Sequence, residues 1–342
     1  MSSSEPEPLT RRDFCFLTSI VPDLPGPTID ETPTFKASSP LDYGRHESKK
    51  IEILPGSTSD LFRIIPTEII VKILSMLDLQ SLTDLRRVSW GVRAIVNTIP
   101  AYKDLMKYSP DTVRALLSTE TAIYSTPQDI LDELCRQDCF ICGDFGPLLD
   151  TITGRRCCVD CATFSQLMRS IEISSAELRG LNETTIRKLR TVHTLRTERY
   201  RVQPRQQLVR FVEAKKVAVE LGKARGFNFV ECFTLSTSDH LRRFLPLLRF
   251  PTLDKRSGRL GWGVSCKACD RSLRILSHRK EEPKLNVHYT VSGYIEHFKH
   301  CKDSQLNRDN AKLFAEIKAA TEDIVSRLQR LTGGLQRLTR EL

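Results

Sequence analysis

The sequence predicts a mainly α-helical protein with small β elements, and three observations lead there. Residues 64 to 98 carry apolar side chains at helical spacing through three short segments. Regular alternation, the mark of a strand, is confined to Leu260, Trp262 and Val264 and to Val287, Tyr289 and Val291. Most cysteines gather in two groups at metal-ligand spacing, which suits small stapled units rather than one large sheet. A length of 342 residues leaves room for two or three domains. The boundaries expected from composition are a segment without regular structure at 1–58, a three-helix segment at 59–108 and a helical middle region at 109–262. A finger-like ββα unit at 263–302 and an amphipathic helix at 303–342 complete the chain.

Residues 1–58 are rich in Pro, Ser, Thr and Glu and lack sustained periodicity, which is the composition of disorder. Within them, RRDFCFLTSIV at 11–21 imitates a secretion signal. Its apolar part is short, Thr18 and Ser19 interrupt it, and no small-residue cleavage site follows. No run of about eighteen apolar residues exists, so no membrane span is expected. Eleven cysteines, an odd number in a chain too long to need disulfide staples, favour a reducing intracellular compartment, cytoplasmic or nuclear.

The first helix shows the most surplus apolar surface. Ile69, Ile70, Val71, Ile73, Leu74, Met76 and Leu77 cover most of its circumference, broken by Thr67, Glu68, Lys72 and Ser75. Pro66 lies near its first turn, and Glu68 suits the positive N-terminal end. Asp78 or Ser81 can cap a second helix with Leu82, Leu85 and Val88, and Val92, Ile95 and Val96 mark a third. About forty residues cannot bury that much surface among themselves. The helices therefore dock on the rest of the chain or form half of an interface.

Further along, Thr126-Pro127 starts a helix with Ile130, Leu131 and Leu134 on one face. Residues 163–224 are helical in composition, and thirteen Lys/Arg face four Asp/Glu between Arg179 and Gly226, a large share of the net charge of +10. The tail carries Leu313, Ile317, Ile324, Leu328, Leu331, Leu335, Leu338 and Leu342 at three- and four-residue spacing, with Gly333-Gly334 as an interruption. A helix packed on the body of the protein is favoured over a coiled coil.

Cys139 and Cys142 form one Cys-x2-Cys pair, and Cys158 and Cys161 another, with fifteen residues between. Each pair lets a tight turn present two sulfurs to one metal, and two such turns complete a closed four-thiolate zinc site. Gly143 and Gly154 suit the turns, and Cys157 is the alternative to Cys158 as ligand. The second group is Cys266, Cys269, His297 and Cys301. His297 and Cys301, four apart, share a helix face; His300 is the rival ligand. His193 and His240 are isolated and read as solvated or hydrogen-bonded. Both sites offer four protein ligands and no open position, so both read as structural. No phosphate-cradling loop, serine elbow or zinc-protease motif is present, and a non-catalytic protein is expected.

LFRIIPTEIIVKILSMLDLQSLTDLRRVSWGVRAIV resembles an F-box. Ile65 stands for the family's leucine, followed by Pro66, Glu68 and Ile69. Ile73, Leu74 and Leu77 fill the first helix, Leu82 and Leu85 the second, and Val88-Ser89 its end, with Arg93 beyond. Val92 stands where the family often carries an aromatic, and Trp90 lies two residues earlier. WGVSCKAC and GYIEHFKHC are similar to the terminal finger of fungal F-box proteins, and the resemblance spans residues 60 to 301. It implies a substrate receptor in which Ile65, Pro66, Glu68, Ile69, Ile73, Leu74, Leu77, Leu82, Leu85 and Val88 meet a Skp-type adaptor of a cullin–RING ubiquitin ligase. Pro66, Ile69 and Ile73 are the expected anchors, with Ile65 beside them. The zinc-stapled remainder would capture a protein substrate.

Two other readings carry less. A nucleic-acid-binding zinc protein using residues 179–226 has few aromatics for stacking, and twenty-seven residues separate Cys269 from His297, against about twelve in DNA-reading fingers. A self-sufficient RING-type ligase needs interleaved ligands, whereas these two groups lie about a hundred residues apart.

Overall fold

A computed structural model describes residues 8–19, 24, 28–31, 65–174, 183–186, 188–195, 205–220, 237–269 and 287–338. The fold is mainly α with small antiparallel sheets. The described helices are α1 (Arg11–Leu17), α2 (Thr67–Leu74), α3 (Leu79–Val88), α4 (Trp90–Thr98), α5 (Pro100–Tyr108), α6 (Pro110–Ser118), α7 (Pro127–Cys135), α8 (Val159–Phe164), α9 (Glu183–Ile186), α10 (Phe211–Glu220), α11 (Thr237–Phe244), α12 (Val291–His300) and α13 (Lys302–Leu338). The described strands are β1 (Thr18–Ser19), β2 (Leu148–Asp150), β3 (Arg155–Cys157), β4 (Ser170–Glu172), β5 (Thr191–His193), β6 (Gln207–Arg210), β7 (Leu247–Arg249), β8 (Thr252–Asp254), β9 (Arg259–Gly261), β10 (Val264–Cys266) and β11 (His288–Tyr289). The described residues divide into two compact units, one drawn from 22–263 and 286–288, the other from 1–21, 264–285 and 289–342.

In the larger unit, helices α2 to α7 follow one another with short turns whose chemistry is local. Asp78 caps α3 by accepting a hydrogen bond from the Ser81 N–H at 2.8 Å. Ser89 caps α4, and proline opens α5, α6 and α7, where a missing N–H costs nothing. Ile70, Leu74, Leu79, Leu82, Val96 and Leu105 meet in one core, closed by Phe250 and Leu253 from far along the chain. The F-box-like helices thus use part of their apolar surface to dock on their own chain.

The segment 163–224, helical by composition, is in part strand. β4, β6 and β5 form an antiparallel sheet in that order, with Ile171 opposite Val209 and Val192 opposite Leu208. Strands of three or four residues are too short for their alternation to outweigh the surrounding helix formers. The expected strand through Leu260, Trp262 and Val264 is also divided. β9 pairs with β8, β10 pairs with β1, and Gly263 between them has φ +74°. A β-carbon there would lie 2.3 Å from the Phe145 ring, so only glycine fits the break.

Three arginines, Arg156, Arg210 and Arg243, are among the largest fully buried side chains. Arg156 donates to the carbonyls of Gly146 at 2.6 Å, Phe250 at 2.9 Å and Pro251 at 2.6 Å, tying β3 to the β7–β8 connection. Burial pushes its guanidinium down to about 10. Arg210 reaches Asp150 at 2.6 Å and Ser170 Oγ at 2.7 Å, and also donates to the Met168 carbonyl. Replacing one partner of such a pair leaves the other charged and buried. Arg210→Met is therefore expected to cost about 3–5 kcal/mol in denaturant unfolding, and Arg210→Met with Asp150→Leu to recover most of it. A single variant as stable as wild type would show that the pair holds nothing together.

The smaller unit joins the two ends of the described chain. Its sheet runs β1-β10-β11, with Thr18 opposite Cys266 and Ser19 opposite Ser265. Leu17, Val264, Cys266, Tyr294 and Phe298 form its core. Residues 11–19, within the segment expected to lack regular structure, are therefore ordered here. Thr10 and Asp13 form a reciprocal capping box on α1, and the Phe14 ring meets the Tyr294 ring edge-on at 5.4 Å. α13 runs unbroken through Gly333-Gly334, contrary to the expected interruption. Among its described side chains, Ser304 and Arg308 near its start are buried, whereas Leu306, Leu313, Phe314 and Ile317 are exposed.

Candidate functional site

The two faces of α2 have different fates. Ile70, Leu74 and Leu77, at i, i+4 and i+7, point into the core. Ile69 and Ile73, one residue earlier and about 100° around the helix, are 48% and 52% exposed, and Met76 in the turn after α2 is 76% exposed. Pro66 and Glu68 lie exposed at the N-terminal end of this stripe, with Ile65 half-buried. Val88, at the end of α3, and Trp90, at the start of α4, are exposed as well. The Arg93 guanidinium lies 5.3 Å from the Trp90 ring centroid. Of the ten residues that the sequence resemblance assigned to an interface, Leu74 and Leu82 are buried and Leu77 and Leu85 are half-buried against the core. Their side chains tie α2 and α3 to that core. Met76 and Trp90, which the sequence pattern includes but the resemblance does not assign to an interface, are exposed too. Their exposure follows from which face the core takes, and that is not local information.

Cys139, Cys142, Cys158 and Cys161 converge, with all four sulfurs within 4.8 Å of one another. The turn Cys139–Gly143 closes through a hydrogen bond from the Gly143 N–H to the Cys139 carbonyl at 2.9 Å, with Gly143 at φ +81°. The Ile141 N–H donates to Cys139 Sγ at 3.4 Å. Cys158 caps α8, its Sγ accepting from the Cys161 N–H at 3.3 Å. The Sγ atoms of Cys142 and Cys158 lie 3.6 Å apart. A tetrahedral ion with metal–sulfur bonds of about 2.3 Å has edges of about 3.8 Å, so the spacing fits. Cys157 is fully buried in β3 and lies outside this group of converging sulfurs, and burial pushes its thiol well up.

In the second cluster, Cys266 ends β10, Cys269 follows three residues on, and His297 and Cys301 close α12. Thr290 caps α12, accepting from the Gly293 N–H at 3.0 Å. Cys269 Sγ lies 3.5 Å from His297 Nε2 and 3.6 Å from Cys301 Sγ, and Cys266 Sγ lies 4.0 Å from Cys301 Sγ. The His297 ring stacks on Tyr289 at 4.6 Å between centroids. His300 lies outside the cluster, its Nε2 3.6 Å from the Glu296 carboxylate.

Each cluster can hold a metal ion, and the charges within it favour one. A hydrogen bond with Cys158 pushes the Cys139 thiol down to about 4, and one with Cys269 pushes Cys266 down to about 3. The same bonds push Cys158 and Cys269 up, and burial pushes Cys161 up to about 12. Sulfurs this close cannot all ionise without a cation among them.

β1 lies beside the strand that ends in Cys266, and Leu17 immediately before it is 2% exposed. Leu17→Asp is therefore expected to lower metal retention at the Cys266 cluster while leaving the Cys139 cluster loaded. Metal content by elemental analysis reads this directly, and unchanged content would remove the N-terminal strand from the site. In the basic segment Lys188, Arg205, Lys215 and Lys216 are exposed, and residues 187, 196–204 and 221–226 lie outside the described residues. Arg210 is committed to Asp150, and Arg190 lies over the Tyr124 ring at 5.5 Å. His193 sits 3.3 Å from a Glu120 carboxylate oxygen.

The family model described as F-box domain matches residues 62–104, a span that includes α2, α3 and α4 and enters α5. The chain carries an F-box domain. No curated protein and no solved structure matches it. F-box domains bind adaptors of the Skp type in cullin–RING ligases, which supports a substrate-receptor role in general. The exposed stripe of α2 belongs to this F-box, and both Cys/His clusters follow it in sequence. No helix among the described residues is long and apolar enough to cross a membrane.

Proposed function

We propose that this chain is a non-catalytic substrate receptor of a Skp–cullin–F-box ubiquitin ligase. The single observation that carries the proposal is the exposed apolar stripe of Ile69 and Ile73, continued by Met76 in the turn that follows, on an F-box helix whose adjacent face already fills the core. Ile65, Pro66, Ile69 and Ile73 anchor the adaptor, and Glu68 and Val88 flank them. Leu74, Leu77, Leu82 and Leu85 shape the surface from beneath. Both clusters bind structural zinc. Soft thiolate ligands with one imidazole, at tetrahedral spacing and without an open position, favour that ion. The zinc-stapled part following the F-box takes a protein target, and the ligase works by holding target lysines at high effective concentration near the conjugating enzyme. No residue of this chain then needs to perform chemistry.

Reconstitution tests the proposal. Co-expression with a Skp-type adaptor is expected to give a stoichiometric complex on size exclusion, carrying two equivalents of zinc per chain. A folded chain that elutes without the adaptor overturns the receptor role. A folded chain free of metal overturns the zinc assignment.

A further inference from the structure

We propose that α13 pairs with the same helix of a second copy of this chain, as a two-stranded coiled coil that begins at Phe314. Beyond its packed first turns, α13 carries Phe314 73% exposed and Ile317 52% exposed, three residues apart on one face. From there the sequence keeps a strict seven-residue repeat along the helical backbone. Phe314, Thr321, Leu328 and Leu335 occupy one heptad position, and Ile317, Ile324, Leu331 and Leu338 the other. Leu342 continues the first column in sequence. A strict seven-residue period drifts around a straight helix and stays on one seam only when two helices wind about each other.

Three features select a second copy as the occupant. An apolar heptad seam is complementary to itself, which is what a two-fold interface requires. Seven apolar seam residues at about 100 Å² each give about 700 Å² per helix, close to the roughly 800 Å² per partner of a stable interface. The seam contains no charged residue, and of the positions flanking it between Phe314 and Leu338 only Lys318 and Arg327 are charged. No ladder of like charges therefore opposes self-pairing. Gly333 and Gly334 fall just off the seam, where they leave the contact intact. Each disfavours a helix about five-fold relative to alanine, so an unpaired helix would be weakest there.

Sedimentation equilibrium of the full chain across a concentration series tests the inference. The expected result is a species of twice the 39.0 kDa chain mass. Leu328→Asp with Leu335→Asp is expected to return the monomer without changing the metal content or the melting of the body. Gly333→Ala is expected to tighten the dimer at least five-fold. A wild-type monomer at every concentration overturns the proposal, and so does a dimer indifferent to all three substitutions. The F-box reading stands or falls separately, because adaptor capture is measured on the monomer as well.

Discussion

Cys139→Ser is expected to remove one of two metal equivalents and to unfold the centre of the larger unit. Structural zinc binding contributes roughly 10–16 kcal/mol of apparent free energy, comparable to or larger than the whole net stability of a domain. The residues around this cluster show why the loss would spread. Cys139, Cys158 and Val159 pack with Leu148, Met168, Phe244 and Leu247, so β2, β7 and α11 lean on the same few side chains as the ligands. Leu149, next to Leu148 on β2, faces the core under the F-box helices. Cys157→Ser provides the contrast. Its side chain is as buried as any ligand, yet it is packed in the core and outside the cluster. A hydroxyl there is expected to cost about 1–3 kcal/mol, with both equivalents retained. Elemental analysis beside a thermal melt separates the two cases. Two metals bound to Cys139→Ser, or one lost from Cys157→Ser, would reverse the ligand assignment.

Features with a short sequence reach were legible in advance. The two Cys-x2-Cys pairs, Asp78 before α3 and Thr126-Pro127 before α7 each encode their geometry within about four residues. Features made by distant partners were not. β1 pairs with β10, Thr18 with Cys266, far apart in the chain, and nothing in Thr18-Ser19 announces it. The nearby capping box of Thr10 and Asp13 was a readable sign of α1, masked by a disorder-like composition. Arg210 counted toward the basic segment at 179–226, and Arg156 and Arg243 toward the net charge of +10, although all three are buried. What buries them is a set of carbonyls and carboxylates supplied by other elements, which no window of sequence contains. The same limit applies to α2. Its two apolar stripes have identical spacing, and only the tertiary core decides that Ile70 and Leu74 turn inward while Ile69 and Ile73 stay out.

That division makes the second large effect separable from unfolding. Ile69→Asp with Ile73→Asp is expected to abolish adaptor capture in pull-down from co-expressing cells, while the protein keeps its melting temperature within a few degrees and both metals. Each substituted side chain is about half exposed, at 48% and 52%, so little core packing is lost. Aspartate lowers helix propensity by about 0.5–0.7 kcal/mol per site, a small fraction of domain stability. Binding is affected far more. Buried aliphatic anchors at the centre of an interface contribute about 2 kcal/mol or more each, and a carboxylate desolvated in their place adds to the penalty. Two anchors lost together correspond to roughly a thousand-fold weaker complex. Leu82→Asp is the necessary counterpart: with a side chain 0% exposed, it is expected to lose capture by unfolding, with the melt collapsing in step. If the double variant is captured as well as wild type, the adaptor seat lies elsewhere. If it loses capture only together with its melt, the stripe belongs to the fold, and the surplus apolar surface of α2 needs another explanation.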